Sequence, residues 1–294
     1  MLIYFLFFSI FSLLSISPTT IEKNINIVLT FTLLLLLSLF IGFRHNVGGD
    51  WDIYMDDLKL NVEFFHLGKL DYVRDFGYEL ISYICFHLKL GIYGVNFILS
   101  IIFVFALHKF AKQFTNNYWI VFVIAMPYII TVIAMGFTRQ ASAFAFILLS
   151  IVSINNRNYL SFFLYSFIAL TFHKSAAIFI PIYLFSYFSF NLKNILIFLL
   201  LCLFAFILIS PEWTRITGGY FSDSSKYVSS GAKYRIILNI VPGFLFLLFY
   251  KKLKFNSNID KMIIILLISN LFLLPLIKDH STFVDRIIIY FSLI

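Results

Sequence analysis

Residues 25–43 read INIVLTFTLLLLLSLFIGF, an uninterrupted apolar stretch with no charged side chain before Arg44. About 20 such residues, rising 1.5 Å each as a helix, cross a hydrocarbon core roughly 30 Å thick. The run Leu33 to Phe40 does not alternate apolar with polar, so a β-barrel strand is excluded. The pattern repeats along the chain, and the composition agrees: 61% hydrophobic and 12% charged residues lie far outside the range of water-soluble domains. The class is an all-α, polytopic integral membrane protein.

Further spans are expected near residues 2–17, 94–111, 118–134, 138–154, 159–172, 174–188, 194–210, 234–250 and 261–277. A partial one starts at Asp285 and reaches Ile294 after about ten residues, which makes it a half-span or a truncated one. That is about 11 transmembrane helices in a single membrane-embedded domain, 1–294. Leu2 to Ile16 lacks the basic start and small-residue cleavage site of a signal peptide, so it counts as a span. Gly77 to Leu90 carries Glu79, His87 and Lys89 and is short, which points to a re-entrant or interfacial helix within an outer loop, 44–93. A second outer loop covers 211–233. Cys85 and Cys202 lie in apolar stretches without metal spacing and read as buried thiols.

Orientation follows from the basic residues, because cytoplasmic loops hold the lysine and arginine excess. Placing Lys251, Lys252, Lys254 and Lys261 inside also puts Lys23, Lys109, Lys112, Arg157 and Lys193 there, provided Gly77 to Leu90 does not cross. Nine of the 22 basic residues are then inside with two of the 14 acidic ones, leaving 13 and 12 outside. Eight of the nine inside are lysine. Six of the seven arginines fall outside: Arg44, Arg74, Arg139, Arg215, Arg235 and Arg286. That split is chemical, since the planar guanidinium fork suits phosphate and carboxylate better than ammonium does.

The outer residues carry the candidate chemistry. Gly48 and Gly49 permit a tight turn after the second span, folding Asp50 and Trp51 back toward the membrane surface. Trp51 and Tyr54 are interface anchors or substrate contacts. Asp50, Asp52, Asp56 and Asp57 cluster, but not at calcium-loop spacing, so a solvated acidic face is preferred and no metal is expected. Arg139 stands at the outer mouth of a span that opens with Ala141, Ser142, Ala143 and Ala145, small enough for close approach. Its readings are a functional cation or an ion pair with a loop aspartate. His173 sits in a short outer turn and suits proton transfer or phosphate binding. The loop PEWTRITGGYFSDSSKYVSSGAKYR interleaves Trp213, Tyr220, Tyr227 and Tyr234 with polar residues, as a sugar-stacking surface or as interface anchors.

The order of Arg44-x-x-Val-Gly-Gly-Asp-Trp51-x-x-Tyr54, the DFGYELIS segment at 75–82, Arg139-Gln-x-x-Ala143 and Phe-His173-Lys-Ser-Ala-x4-Pro181 resembles the EpsG-like family of exopolysaccharide membrane proteins, relatives of Wzy-type repeat-unit polymerases. Asp285, Arg286 and Tyr290 add a weaker match at the end. Where the family has tyrosine after its glycine–aspartate pair, this chain has Trp51. The resemblance implies a metal-independent glycosyltransferase of the broad GT-C-like type, without cofactor, in the bacterial cytoplasmic membrane. It implies an undecaprenyl-pyrophosphate-linked oligosaccharide as donor, a second lipid-linked repeat unit as acceptor, and a chain-length regulator and a flippase as partners. Carried onto this chain, Arg44, Arg139 and Arg286 hold substrate with Trp51 and Tyr54, and His173 or Asp50 accepts the acceptor's proton.

Other classes stay open: a flippase or transporter of lipid-linked oligosaccharide, a membrane acyltransferase acting on polysaccharide, and a structural subunit of a synthase complex. Nucleic acid is not expected despite a pI near 9.3, since the basic excess is juxtamembrane lysine, which attracts anionic lipid.

Overall fold

The computed structural model describes residues 2–17, 22–66, 75–187, 191–209, 229, 231–253 and 257–292. Among these, every regular element is helical. The helices fall into two compact units, Met1–His173 and Lys174–Ile294. Among the described residues, four helices are long and apolar enough to cross a membrane: Asn24–Gly42, Gly91–Phe114, Thr138–Asn155 and Ala232–Leu253. Shorter apolar helices include Leu2–Ile16, Tyr118–Ala134, Tyr159–Phe172 and Lys174–Tyr187.

The first unit holds α1 (Leu2–Ile16), α2 (Lys23–Gly42), α3 (Trp51–His66), α4 (Phe76–His87), α5 (Gly91–Phe114), α6 (Tyr118–Ala125), α7 (Thr138–Asn155) and α8 (Tyr159–Phe172). Past Ala125, α6 widens into a π-helical stretch, Met126–Ala134. Pro127 has no N–H to continue the α-helical ladder, which accounts for a change of winding there. The centre of the unit is α7, which packs on both α5 and α8 and buries its Ala141, Ser142, Ala143 and Ala145 face as the small-residue pattern predicts. Between α2 and α5, the Ser100 hydroxyl donates to the Ser38 carbonyl at 2.8 Å, a polar tie between two apolar helices.

The segment expected as one outer loop with a short helix contains two packed helices, α3 and α4. At 12 residues α4 spans only about 18 Å, too short to cross. Its start is fixed by Glu79, whose Oε1 accepts the backbone N–H of Asp75 at 3.4 Å. Gly77 lets α4 press against the end of α8: a Cβ there would sit 2.5 Å from Thr171 Oγ1 and 3.0 Å from the Phe172 ring.

The second unit begins with a 3-10 turn, Lys174–Ile178, running into α9 (Phe179–Tyr187), then α10 (Leu192–Ile209), α11 (Ala232–Leu253), α12 (Ser257–Leu273) and α13 (Ile277–Ile288). Asn239 of α11 donates to Asn270 Oδ1 at 3.3 Å and to the Ile288 carbonyl at 3.2 Å, joining three helices through one buried amide. Ala232, Ile236, Ile277, Val284 and Ile288 form the apolar contact beside it. Helical structure starts at Ile277, ahead of the Asp285 that the apolar run suggests: Pro275 lies in the turn that ends α12, a first turn carries Lys278 and Asp279, and the chain kinks at His280 (φ −135°, ψ 44°) before the helix continues through Asp285. Asp285 and Arg286 therefore sit within α13 and not at the entrance to a span.

Candidate functional site

Both ends of the loop between α2 and α3 are tied down. Arg44, one residue beyond the end of the α2 helix cap, is only 5% exposed. It donates from Nη1 to the Ile41 carbonyl at 2.9 Å, capping the C-terminus of α2, and from Nη2 to Asn96 Oδ1 at 3.2 Å and Thr138 Oγ1 at 2.6 Å. Gly48 then turns the chain at φ +99°, with its backbone against Gly136: a Cβ would lie 2.7 Å from Gly136 Cα. Arg44 and the loop are thereby fixed to the first turn of α7, which carries Arg139.

Trp51, Tyr54 and Leu58 form the buried face of α3, with Asp57 half-buried beside them, while Asp52 and Asp56 are exposed. This is the i, i+3, i+7 face of one helix. Tyr54 faces Tyr78 of α4, their ring centroids 5.6 Å apart. The Arg139 guanidinium lies 5.4 Å from the Tyr54 centroid and 4.8 Å from that of Tyr78, a double cation–π arrangement. Its Nη2 is ion-paired with Asp57 Oδ2, and its Nη1 is 3.4 Å from Asp75 Oδ2. The other oxygen of Asp75 is 3.7 Å from His173 Nδ1. On the far side of the imidazole, Gln140 Nε2 is 3.1 Å from His173 Nε2. In that assigned amide orientation Gln140 donates, Nε2 accepts, and the imidazole proton resides on Nδ1 toward Asp75.

Electrostatically the two arginines differ. Arg139 faces two carboxylates. Arg44 meets only neutral acceptors, with Tyr54 and Tyr78 nearby, and no carboxylate among the described residues. Burial lowers its pKa to about 10, which still leaves it cationic at neutral pH. Burial also pushes the Tyr78 phenol well above its ordinary range, so it is a neutral donor, and its hydroxyl has no hydrogen-bond partner among the described residues.

Of the residues singled out from sequence, Arg139, His173 and Tyr54 come together, with Arg44 adjoining through Thr138. Asp50 heads α3, where its carbonyl accepts the Tyr54 N–H at 3.0 Å. The partners of His173 are Asp75 and Gln140 instead. Trp51 is 7% exposed and packs edge-on to His45 at 5.5 Å and against Tyr93 at 6.2 Å, an aromatic cluster whose exposed edge is closed by a 2.6 Å hydrogen bond between His45 and Tyr93. Arg286 belongs to the second unit, where its neighbour Asp285 is ion-paired with Arg235 and accepts from the Ser229 hydroxyl at 2.9 Å. Arg74, Arg215, Trp213, Tyr220 and Tyr227 lie outside the described residues. Sequence reasoning gave no role to Asp75, Tyr78 or Gln140, although all three stand inside the motifs quoted above. It left Asp57 undistinguished among four aspartates, where the spacing from Trp51 and Tyr54 marks it as inward-facing.

The first unit of this helical protein thus gathers two arginines, two aspartates, a histidine and two tyrosines beside helices long and apolar enough to cross a membrane. The model of the EpsG family matches residues 27–294, and the chain belongs to that family, which is associated with exopolysaccharide formation at membranes. No curated protein and no solved structure matches it.

Proposed function

We propose that the chain polymerises lipid-linked oligosaccharide repeat units, acting as a membrane glycosyltransferase with an undecaprenyl-pyrophosphate donor on the outer face of the bacterial cytoplasmic membrane, within an architecture of about 11 spans of GT-C-like type. The observation that carries this reading is Arg44, a buried cation with no carboxylate against it among the described residues, beside Arg139. Burying an unpaired charge costs several kcal/mol, and such a cost is retained where an anion is bound.

In the reaction, an acceptor hydroxyl attacks the donor's anomeric carbon as its bond to pyrophosphate breaks. The acceptor hydroxyl displaces the Gln140 amide from His173 Nε2 and gives its proton to that nitrogen, while Asp75, 3.7 Å from Nδ1, stabilises the imidazolium that forms. The departing pyrophosphate gains charge, which Arg44 and Arg139 stabilise in a site poor in water. Tyr78 has a neutral hydroxyl to offer the same oxygens or the sugar. Asp75 takes the orienting role; Asp50 remains a candidate for contact with the acceptor. Arg286, Trp51 and Tyr54 remain candidates for substrate binding, Trp51 by shaping the loop through its aromatic cluster. A chain-length regulator, a flippase and anionic lipids are the proposed partners.

The test is surface polysaccharide from a deletion strain complemented with wild type, Arg139→Ala or His173→Ala, resolved by length with membrane expression verified. Long chains from wild type and single repeats from both variants are expected. Unchanged long chains from the variants remove the assignment. Loss of even single-repeat product on deletion points to the second reading, a flippase, whose substrate the same basic site would also hold.

A further inference from the structure

A second polar feature of the first unit lies at the opposite end of α5. Asn96, the partner of Arg44, and Lys112 are 16 residues apart on that helix, or about 24 Å. At the Lys112 end a cavity of about 230 Å³ opens between α2, α5 and α6. Its apolar side is Ile27, Phe31 and Leu34 of α2. Ile27 is 59% and Phe31 68% exposed, on a helix long enough to cross a membrane, so this wall meets acyl chains. Its polar side is built around Tyr118, whose hydroxyl is 2.9 Å from Thr30 Oγ1 and donates to Asn26 Oδ1 at 3.1 Å. Lys112 Nζ stands 5.6 Å from the Tyr118 ring centroid, and Lys109 lies one turn earlier on α5. His108 also lines the cavity, edge-on to Tyr118, and its Nδ1 has no hydrogen-bond partner among the described residues. None of the lining residues is acidic.

We infer that this cavity is a binding site for an anionic phospholipid, its phosphate headgroup held at Lys112 and one acyl chain laid along Ile27, Phe31 and Leu34. The dimensions support a partial ligand: the volume is below that of sites enclosing a whole small molecule, and suits a headgroup with the first part of one chain. Charge complementarity selects the anion. Lys112 lines a cavity with no carboxylate among its lining residues, and Lys109 adds a second positive charge one turn earlier, at the end of α5 that the basic-residue count assigns to the cytoplasm. The apolar wall selects a lipid, because a free phosphate has no use for Ile27 and Phe31.

The test uses the purified full-length chain in vesicles of phosphatidylcholine doped with a photoactivatable phosphatidylglycerol, or with the matching phosphatidylcholine probe, and maps cross-linked peptides by mass spectrometry. The phosphatidylglycerol probe is expected to label residues 24–34 and 108–118 above the phosphatidylcholine probe. Lys112→Gln lowers that labelling roughly fivefold, and Lys109→Gln lowers it further, while Lys252→Gln leaves it unchanged. Lys112 is exposed, so the variant keeps the packing, and a monodisperse elution profile verifies it. Equal labelling by the two probes, or undiminished labelling in Lys112→Gln, overturns the site. The readout requires no turnover and so stands independently of the proposed polymerase activity.

Discussion

Replacing Arg44 by methionine separates a structural arginine from a ligand-binding one. Methionine is of similar length, flexible enough to fill the same space, and uncharged. In the native fold the Arg44 charge is held where burial lowers its pKa from the ordinary guanidinium range to about 10. At 1.36 kcal/mol per unit, keeping it charged there costs roughly 3 kcal/mol. Removing it also leaves Ile41 O, Asn96 Oδ1 and Thr138 Oγ1 each short of a donor, at about 1 kcal/mol or somewhat more apiece. The two contributions are of similar size and opposite sign. Arg44→Met should therefore change stability by no more than about 2 kcal/mol, against the 3–5 kcal/mol expected on breaking a buried ion pair. Turnover of donor, by contrast, should fall at least about 100-fold, the scale of losing one charge-stabilising group. Unfolding in mixed micelles measures the first quantity, and a polymer-length assay on the same preparation the second. A loss of stability as large as that of a broken ion pair, with activity retained in the surviving folded fraction, refutes the reasoning and makes Arg44 a structural pin.

Asp75→Asn preserves shape but removes the group that orients His173, so turnover should fall by about 10²–10⁴ and the pH–rate profile should change, which a packing defect alone would not produce. Asp57→Asn releases one arm of Arg139 and should tighten binding of a short-chain prenyl pyrophosphate by roughly tenfold, read by competition against the natural donor; unchanged binding argues against Arg139 as a phosphate contact. Gly48→Ala meets both a φ of +99° and a Cβ 2.7 Å from Gly136 Cα, and should cost at least about 2 kcal/mol, read as reduced folded yield and earlier unfolding in mixed micelles.

Helix positions were legible because each helix in a bilayer satisfies its own backbone, so an apolar run and its polar borders nearly define it. The α2 and α7 helices fall where their runs predict. Arg139 was legible as a cation at the mouth of a span, and an ion pair with a loop aspartate was already one of its two readings. Its partners were not. Asp75 and Arg139 are 64 positions apart, and their meeting depends on α4 docking against α8 at Gly77, which no local pattern encodes. Tyr78 illustrates the same gap: beside Phe76 and Ile81 it reads as one more apolar-face residue, yet it stacks on a guanidinium. The Asp57 assignment was within reach, since Trp51, Tyr54 and Leu58 define the inward face of α3 by spacing alone and Asp57 borders it. The beginning of α13 was misjudged because Lys278, Asp279 and His280 interrupt the hydropathy while the backbone remains helical over most of the segment.

Under the proposed function, the charge balance of the first unit gives its two arginines different tasks. Arg139 is neutralised at rest by Asp57 and Asp75, so on meeting a pyrophosphate it exchanges one anion for another, and the exchange yields little net free energy. Its contribution is geometric: two tyrosine rings and a carboxylate shared with His173 fix where the phosphate can sit relative to the base. Among the described residues Arg44 has no carboxylate to give up, only the neutral oxygens of Ile41, Asn96 and Thr138. In the proposed reaction, affinity for the pyrophosphate therefore rests chiefly on Arg44, although its side chain is the more deeply buried of the two. Tyr54 and Asp57 reside on the same helix, α3, so a displacement of that helix away from α7 would withdraw a covering ring and a competing carboxylate together. In this arrangement the resting carboxylates protect Arg139 from adventitious anions, and only a ligand with apolar and sugar contacts in addition to its pyrophosphate recovers the cost of displacing them.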